Sequence, residues 1–398
     1  MIRTSVSMTA LGMVNALGCK TAAIWKRLQA GDQSGLSLEA GYLNGGRVRV
    51  GQVKVGWPSF PRALKRYECR NNALTLVAYR QIELQVQKAL KQYGSRRVGV
   101  VMGSSTSGMA TTESAFTAWR SSGQFPPAFG YVQHEMGGLS QFLADLIGSK
   151  GPAYTLSTAC SSSAKVLASA RALIHQGWCD AVLVGGADSL CRLTVQGFTA
   201  LEALSEKPCN SMSRNRDGFN LGEGAALFLM ERSEAGIQLL GVGESSDAYH
   251  MSAPDPDGRG AYAAMESALN DADLDPTAVS YINLHGTGTP LNDQMESRAV
   301  SRLFKDVPVS STKGMTGHTL GASGAMEVGF CWLSLAHAEK GQIPLPPHRW
   351  DGQRDKTLPS LSLVEVGQTL ARKKEAVLLS NSFGFGGSNC SVIIGSEI

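Results

Sequence analysis

Residues 153–188 read AYTLSTACSSSAKVLASARALIHQGWCDAVLVGGAD. AYTLSTAC (153–160) is a short apolar, β-favouring run that ends in small residues. SSSAKVLASARALIHQG follows with helical spacing, and DAVLVGGAD (180–188) is a second apolar run. A strand that runs directly into a helix and returns as a buried strand is the unit of an α/β protein. The same alternation extends both ways. RRVGVVMGSS (96–105) precedes it, and GAALFLMER (224–232) and IQLLGVGESSD (237–247) follow it.

The theme then restarts. GAYAAMESALNDADL (260–274) is a predicted helix, and VSYINLHGTGT (279–289) is a strand opening into a glycine loop. GASGAMEVGFCWLSLAHAEKG (321–341) is a helix, and AVLLSNSFGFGGSNCSVIIG (376–395) is a strand, a glycine loop and a strand. Two successive α/β halves are expected, 1–247 and 248–398. The strands are apolar along their whole length, which calls for sheets covered on both faces and for function in the strand-end loops.

Composition narrows the function. The 398 residues carry 37 Lys and Arg against 33 Asp and Glu, a formal charge of +4, without the basic patches of a nucleic-acid-binding protein. Hydrophobic residues make up 43%, enough for a large core. No apolar run approaches the ~18 residues of a membrane span. The "ALGC" ending at Cys19 only faintly resembles a lipoprotein site. Eight cysteines stand singly, with no CxxC pair or zinc spacing, as in reduced thiols of a cytoplasmic protein.

Among them Cys160 is set apart. It stands where strand gives way to helix, among Thr158, Ala159 and Ser161 to Ser163. A thiol at a helix N-terminus is expected to have its pKa lowered by the dipole, which is one route to a nucleophile. His285 ends a strand in NLHGTGTPLND, and Lys313 and His318 share STKGMTGHTLGASGAMEV (311–328). In a phosphate loop the lysine follows the glycines; Lys313 precedes them. NSFGFGGSN (381–389) offers backbone N–H groups to an oxyanion. One cysteine and two histidines on strand-end loops suggest a cysteine-dependent acyltransferase or lyase.

Together STACSSS, NRDGFNLGEGAALFLME (215–231), LHGTGTPLND, STKGMTGHTLGASG and NSFGFGGSN resemble the β-ketoacyl-acyl-carrier-protein synthases of the KAS I/II type, in the thiolase-like superfamily. The likeness runs nearly end to end and begins with VSMTALGMVNALGCKTAAIWKRLQAG (6–31). It implies a duplicated five-layer αβαβα fold and a decarboxylative Claisen condensation that extends an acyl chain by two carbons. Cys160 would carry the acyl group. His285 and His318 would decarboxylate malonyl-carrier protein and stabilise the enolate. Lys313 would pair with Glu296. The backbone N–H groups of Cys160 and Phe385 would form the oxyanion hole, with Phe385 as a gate. Thr287 and Thr289 would hold the phosphopantetheine arm, and Thr106 and Phe198 would contact the acyl chain. Arg62, Lys65, Arg66 and Arg70 would receive an acidic acyl carrier protein. No metal or cofactor is implied, since phosphopantetheine arrives on the carrier.

A two-fold dimer through Ala153 to Thr158 is the family's habit. It is either a homodimer or a heterodimer with a cysteine-less chain-length factor. Two departures point to a specialised relative. KPCNSMSRNRDG (207–218) stands where the family writes Arg-Pro-Phe-Asp before Asn-Arg-Asp-Gly, and Thr106 stands where KAS II enzymes carry a bulky aliphatic. A ketosynthase of a polyene or aryl-polyene pathway fits them. The rivals are a thiolase, tempted by Cys390, and a non-catalytic partner subunit, which Cys160, His285 and His318 together argue against.

Overall fold

The computed structural model describes residues 5–54, 56–339, 341–371 and 375–397. Eleven strands form the principal sheet. In chain order they are β1 (Val6–Val14), β2 (Val98–Gly103), β3 (Ala153–Leu156), β4 (Ala181–Asp188), β5 (Gly224–Arg232), β6 (Ile237–Ser246), β7 (Val279–Asn283), β8 (Pro308–Ser310), β9 (Ser362–Leu363), β10 (Glu375–Gly384) and β11 (Ser388–Glu397). Their order is β9-β8-β7-β10-β11-β6-β1-β5-β4-β2-β3.

This order contains a repeat. β1 pairs antiparallel with β5, β5 antiparallel with β4, and β4 and β3 flank β2 in parallel. β6, β11, β10, β7 and β8 repeat those directions step for step. The two copies meet at β1 and β6, joined by the single pair Ser7 and Gln238. By topology the second copy begins with β6 at Ile237, and the boundary expected at residue 247 falls at the end of that strand.

Helices complete five layers. They include α1 (Arg70–Tyr79), α2 (Met109–Ser122), α3 (Gly137–Ile147), α4 (Ser162–His175), α5 (Arg192–Ala200), α6 (Arg259–Ala272), α7 (Pro290–Leu303) and α8 (Ser323–Ala336). α4 and α8 lie between the two copies. Val166, Leu167, Val328 and Phe330 pack there against Val101 and Phe228 of one copy and Leu378 and Val392 of the other. Alternate strand residues face outward: Val100, Leu183 and Leu227 meet α1 and α3, while Ile282, Leu379 and Ile393 meet α6 and α7. Strands buried on both faces require the unbroken apolar runs seen in the sequence.

The two central helices touch at glycine. A Cβ on Gly324 would lie 2.5 Å from Ala164 N and 2.7 Å from its Cβ. Ala325 N–H donates to Ser163 Oγ at 2.9 Å across the same contact. Cys160, four residues before Ala164, and His318, six before Gly324, are thereby brought together. They occupy corresponding places in the repeat, after β3 and after β8.

Candidate active site

Cys160 and His318 meet directly: Sγ lies 3.0 Å from Nε2. His285 completes the group, with its ring centroid 5.2 Å from that of His318 and the planes at 83°. The sulfur and one ring nitrogen of each histidine lie within 4.8 Å of one another. The cavity over them has a volume of about 280 Å³. Phe198, Phe219, Phe383 and Phe385 supply much of its apolar wall, and Thr287 and Thr289 stand in its lining.

Each member is fixed by its own loop. Ala159, just before Cys160, takes φ +52°, a left-handed conformation that costs a non-glycine residue about 1 kcal/mol or more. The turn is held by Ser162 Oγ, which accepts Thr158 N–H at 2.9 Å. The backbone of His318 is pinned on both sides by the NRDGFNLGEG segment: its N–H donates to Asn220 O at 2.7 Å, and its carbonyl accepts Gly222 N–H at 2.9 Å. Its Nδ1 lies 2.8 Å from Ser323 Oγ.

The loop of His285 rests on two acids of α7. Glu296 accepts the N–H groups of His285 and Gly286, each at 2.7 Å. Asp293 accepts Gly288 N–H at 3.1 Å and Met212 N–H at 2.6 Å. Lys313 Nζ donates to the carbonyl of His285 at 2.5 Å.

The electrostatics follow from burial. Cys160 is 6% exposed. Burial pushes its thiol up to about 12, against a smaller opposing pull from Lys313 and the Phe385 N–H. The shift runs opposite to the depression expected from the helix terminus, because desolvation is the largest influence on this thiol. Both imidazoles are held well below the usual histidine range, first by burial and then by Lys313, with His318 adding to the effect on His285. At neutral pH they are uncharged, each with one ring nitrogen as donor and the other as acceptor.

Three further placements correct the sequence reading. Lys313 pairs with Glu327 of α8, not with Glu296, whose carboxylate is taken up by backbone N–H groups. Thr106 lies outside the cavity lining; its hydroxyl donates to Asp188 Oδ1 at 2.9 Å. Arg70 is held by Glu223 at 2.5 Å and by the carbonyl of Val53 at 2.7 Å, so it anchors the interior and is not available for docking. Arg62 and Lys65 are exposed, and Arg66 pairs with Asp145 at 2.9 Å.

Phe385 stands at the cavity mouth, 38% exposed, with its ring centroid 5.4 Å from that of Phe198. A Cβ on the preceding Gly384 would come within 3.3 Å of Cys160 N, so glycine there leaves that N–H open. The sequence reading passed over Ser323, Glu327 and Asp188. Glu327 had a signal: it is the one acid in the otherwise apolar helix SGAMEVGFCWLSLA.

A buried cysteine beside two neutral histidines under a duplicated α/β fold defines a thiolase-like acyltransferase. The chain belongs to the β-ketoacyl synthase family: the family's N-terminal domain matches residues 4–235 and its C-terminal domain residues 237–344. It is 32% identical over 441 residues to the 3-oxoacyl-[acyl-carrier-protein] synthase 2 of Coxiella burnetii, covering 99% of both chains. A ketosynthase from Xenorhabdus doucetiae, solved in complex with its chain length factor, superposes with a TM-score of 0.93 at 43% identity, over 99% of this chain and 98% of that one. A ketosynthase solved with a type II polyketide acyl-carrier protein and bound to the hexaketide gives a TM-score of 0.84 at 25% identity, over 100% of both.

Proposed function

We propose that this chain is a condensing enzyme that joins an acyl group held on Cys160 to a malonyl unit delivered by an acyl carrier protein. The observation that carries the reading is the 3.0 Å contact between Cys160 Sγ and His318 Nε2, beside a second neutral imidazole, at the base of an apolar cavity. In the first half-reaction the sulfur attacks the acyl thioester, and the carrier leaves as its thiol. The oxyanion is received by the N–H groups of Cys160 and Phe385. In the second, malonyl-carrier protein enters, and His285 and His318 hydrogen-bond its thioester oxygen as CO2 departs. The enolate carbon bonds to the acyl carbon, the C–S bond to Cys160 breaks, and the departing thiolate takes a proton from water in the open cavity, leaving the thiol free and the chain two carbons longer. Thr287 and Thr289 flank the path of the phosphopantetheine arm, and Phe198 and Phe385 frame its entrance. Loss of CO2 supplies the driving force, so the reading assigns no metal or redox cofactor.

The partner is read as an acyl carrier protein, met by Arg62, Lys65 and Arg66. The compartment is read as the cytoplasm. All eight cysteines are free thiols, and no helix among the described residues is long and apolar enough to cross a membrane. A second subunit, a chain-length factor, is supported by the likeness to the Xenorhabdus complex and by two features of the surface. β3 is an unpaired edge of the sheet. Phe116, Trp119 and Phe125 form a half-exposed cluster, with the last two stacked at 5.9 Å. The pathway is read as an aryl-polyene or related polyene one, on the departure from the family's motif at 207–218.

Intact-protein mass spectrometry with a panel of acyl-carrier proteins tests the reading. Cys160 should gain one acyl mass that a Cys160→Ala variant does not gain, and malonyl-carrier protein should then discharge it as a product two carbons longer. Acylation that persists in the variant would refute the assigned nucleophile. Acylation only in the presence of a co-expressed homologue would establish the two-subunit form.

A further inference from the structure

Both nitrogens of His318 have a partner: Nε2 faces Cys160 Sγ, and Nδ1 lies 2.8 Å from Ser323 Oγ. Ser323 is the first residue of α8 and is 1% exposed. Its hydroxyl has one other neighbour, Thr319 Oγ1 at 3.3 Å. Nucleophile, base and a third group aligned behind the base is the arrangement by which a weak nucleophile is activated.

We propose that Ser323 is a positioning residue for the first half-reaction: its hydroxyl oxygen accepts the Nδ1–H of His318 and so stabilises the positive charge that the ring takes on when Cys160 gives up its proton. This rests on the condensing function proposed above and goes beyond it, because it separates the two half-reactions. As the sulfur bonds to the thioester carbon, its proton passes to Nε2. The ring becomes an imidazolium whose Nδ1–H donates to Ser323 Oγ. When the adduct collapses, the C–S bond to the carrier breaks, and the carrier sulfur leaves with the proton from Nε2. The ring is neutral again, and exchange with water in the open cavity resets its tautomer.

In the decarboxylating half the ring works while neutral. A hydroxyl both donates and accepts, so Ser323 then serves as donor to a bare Nδ1. The demand on Ser323 is unequal. A hydrogen bond from a charged donor is roughly twice as strong as one between neutral groups, and a buried charged N–H left unpaired is the costlier loss. The charges acting on the dyad make this support necessary. Lys313 opposes a cation on His318; at Cys160 burial holds the proton on, Lys313 and the Phe385 N–H pull the other way, and Asp188 and Glu327 add smaller pushes against a thiolate.

The test separates the halves with Ser323→Ala. Acylation of Cys160 from an acyl-carrier protein, followed by intact mass in single turnover, should slow by roughly 10- to 100-fold. Decarboxylation of malonyl-carrier protein to acetyl-carrier protein, compared between Cys160→Ala and Cys160→Ala/Ser323→Ala, should change by less than about 5-fold. The pH profile of Cys160 alkylation by iodoacetamide should move to higher pH in Ser323→Ala. Ser323→Thr keeps the hydroxyl and should restore acylation. Equal slowing of both halves, an unmoved alkylation profile, or a Thr variant as slow as Ala would overturn the proposal. A parent chain that neither acylates nor decarboxylates would instead overturn the condensing function itself.

Discussion

Lys313 and Glu327 form an ion pair with both side chains almost wholly out of solvent. Lys313 Nζ also reaches the carbonyl of His285, so one ammonium ties α8 to the loop of the first histidine and sets the field on the second. Removing one member of a buried pair leaves the other uncompensated, at a cost of about 3–5 kcal/mol. Lys313→Met should therefore lower unfolding stability by that order, and Lys313→Met/Glu327→Leu should recover much of it. The double variant should still condense slowly, because its His285 loop has lost its tether. Denaturant unfolding and steady-state rates check both; full activity in the double variant would show that the pair has no part in the reaction.

Much of this site is legible in the sequence, and the illegible part has a common cause. The motifs' resemblance to the β-ketoacyl synthases assigns Cys160, His285, His318 and the Phe385 loop to one site, and their places on strand-end loops agree with it. The partner of Lys313 is not legible that way. Glu296 and Glu327 are both acids within 17 residues of it in sequence, and only the crossing of α8 beneath the loop decides between them. The thiol pKa fails for the same reason. The helix terminus is visible in the sequence, but the depth of burial that raises the thiol is a property of the assembled layers. Arg70 looked like a surface cation and is instead the counter-ion of Glu223.

Glu296 should make stability pH-dependent in an unusual direction. Burial raises its carboxyl to about 7, despite the opposing N–H donors of Gly286 and His285. Between its unfolded range near 4.5 and about 7, the folded state holds the extra proton. Stability from this group is thus present at low pH and lost as pH rises through about 7. In Glu296→Gln the stability–pH curve should lose about one proton of slope over that window. Urea midpoints measured from pH 4.5 to 8 decide it, and an unchanged slope would exclude Glu296 as the titrating group.

Gly324 is where the two central helices touch, and its Cβ would sit 2.5 Å from Ala164 N. Backbone cannot rotate away as a side chain can. Gly324→Ala should cost about 1–3 kcal/mol by overpacking. It should also lengthen the Cys160–His318 contact, so condensation should fall by more than the folded fraction does. A variant that is destabilised but turns over normally per folded molecule would mean the helices yield without moving the dyad.

Carrier docking can be separated from interior support on a single stretch of chain. Arg62 and Lys65 are exposed, whereas Arg70 is mostly covered against Glu223. Arg62→Glu/Lys65→Glu should raise KM for acyl-carrier protein several-fold at low salt, with the effect fading as salt screens it. kcat and reaction with a small acyl-thioester should hold. Arg70→Ala should leave Glu223 buried and unpaired and lower stability by about 3–5 kcal/mol. If the double charge reversal damages both substrates equally, the surface is not a docking site.

Asp188 joins the two copies of the fold without a cation. It ends β4, is fully buried, and gathers donors from both sides. Ser104 Oγ at 2.6 Å, Thr106 Oγ1 at 2.9 Å and the N–H groups of Ser105 and Thr106 at 2.9 Å reach Oδ1. Gly321 N–H, from the turn between His318 and Ser323, reaches Oδ2 at 2.6 Å. Asp188→Ala strands these donors in a dry site, each worth about 1–3 kcal/mol when left unpaired. The loss should exceed that of an ordinary core truncation, and the chain should be recovered mostly unfolded. Asp188→Asn keeps the shape and one acceptor oxygen. It should fold, yet it places an NH2 where a donor was received, which pushes Gly321 away and loosens His318. Its condensing rate should fall at least about 10-fold, the scale seen when a group that orients a reactive side chain is removed. At the same time the pH profile of Cys160 alkylation should move, because Asp188 adds a smaller push to the burial that holds its thiol up. An Asn variant with both unchanged would reduce Asp188 to a loop anchor with no hold on the dyad.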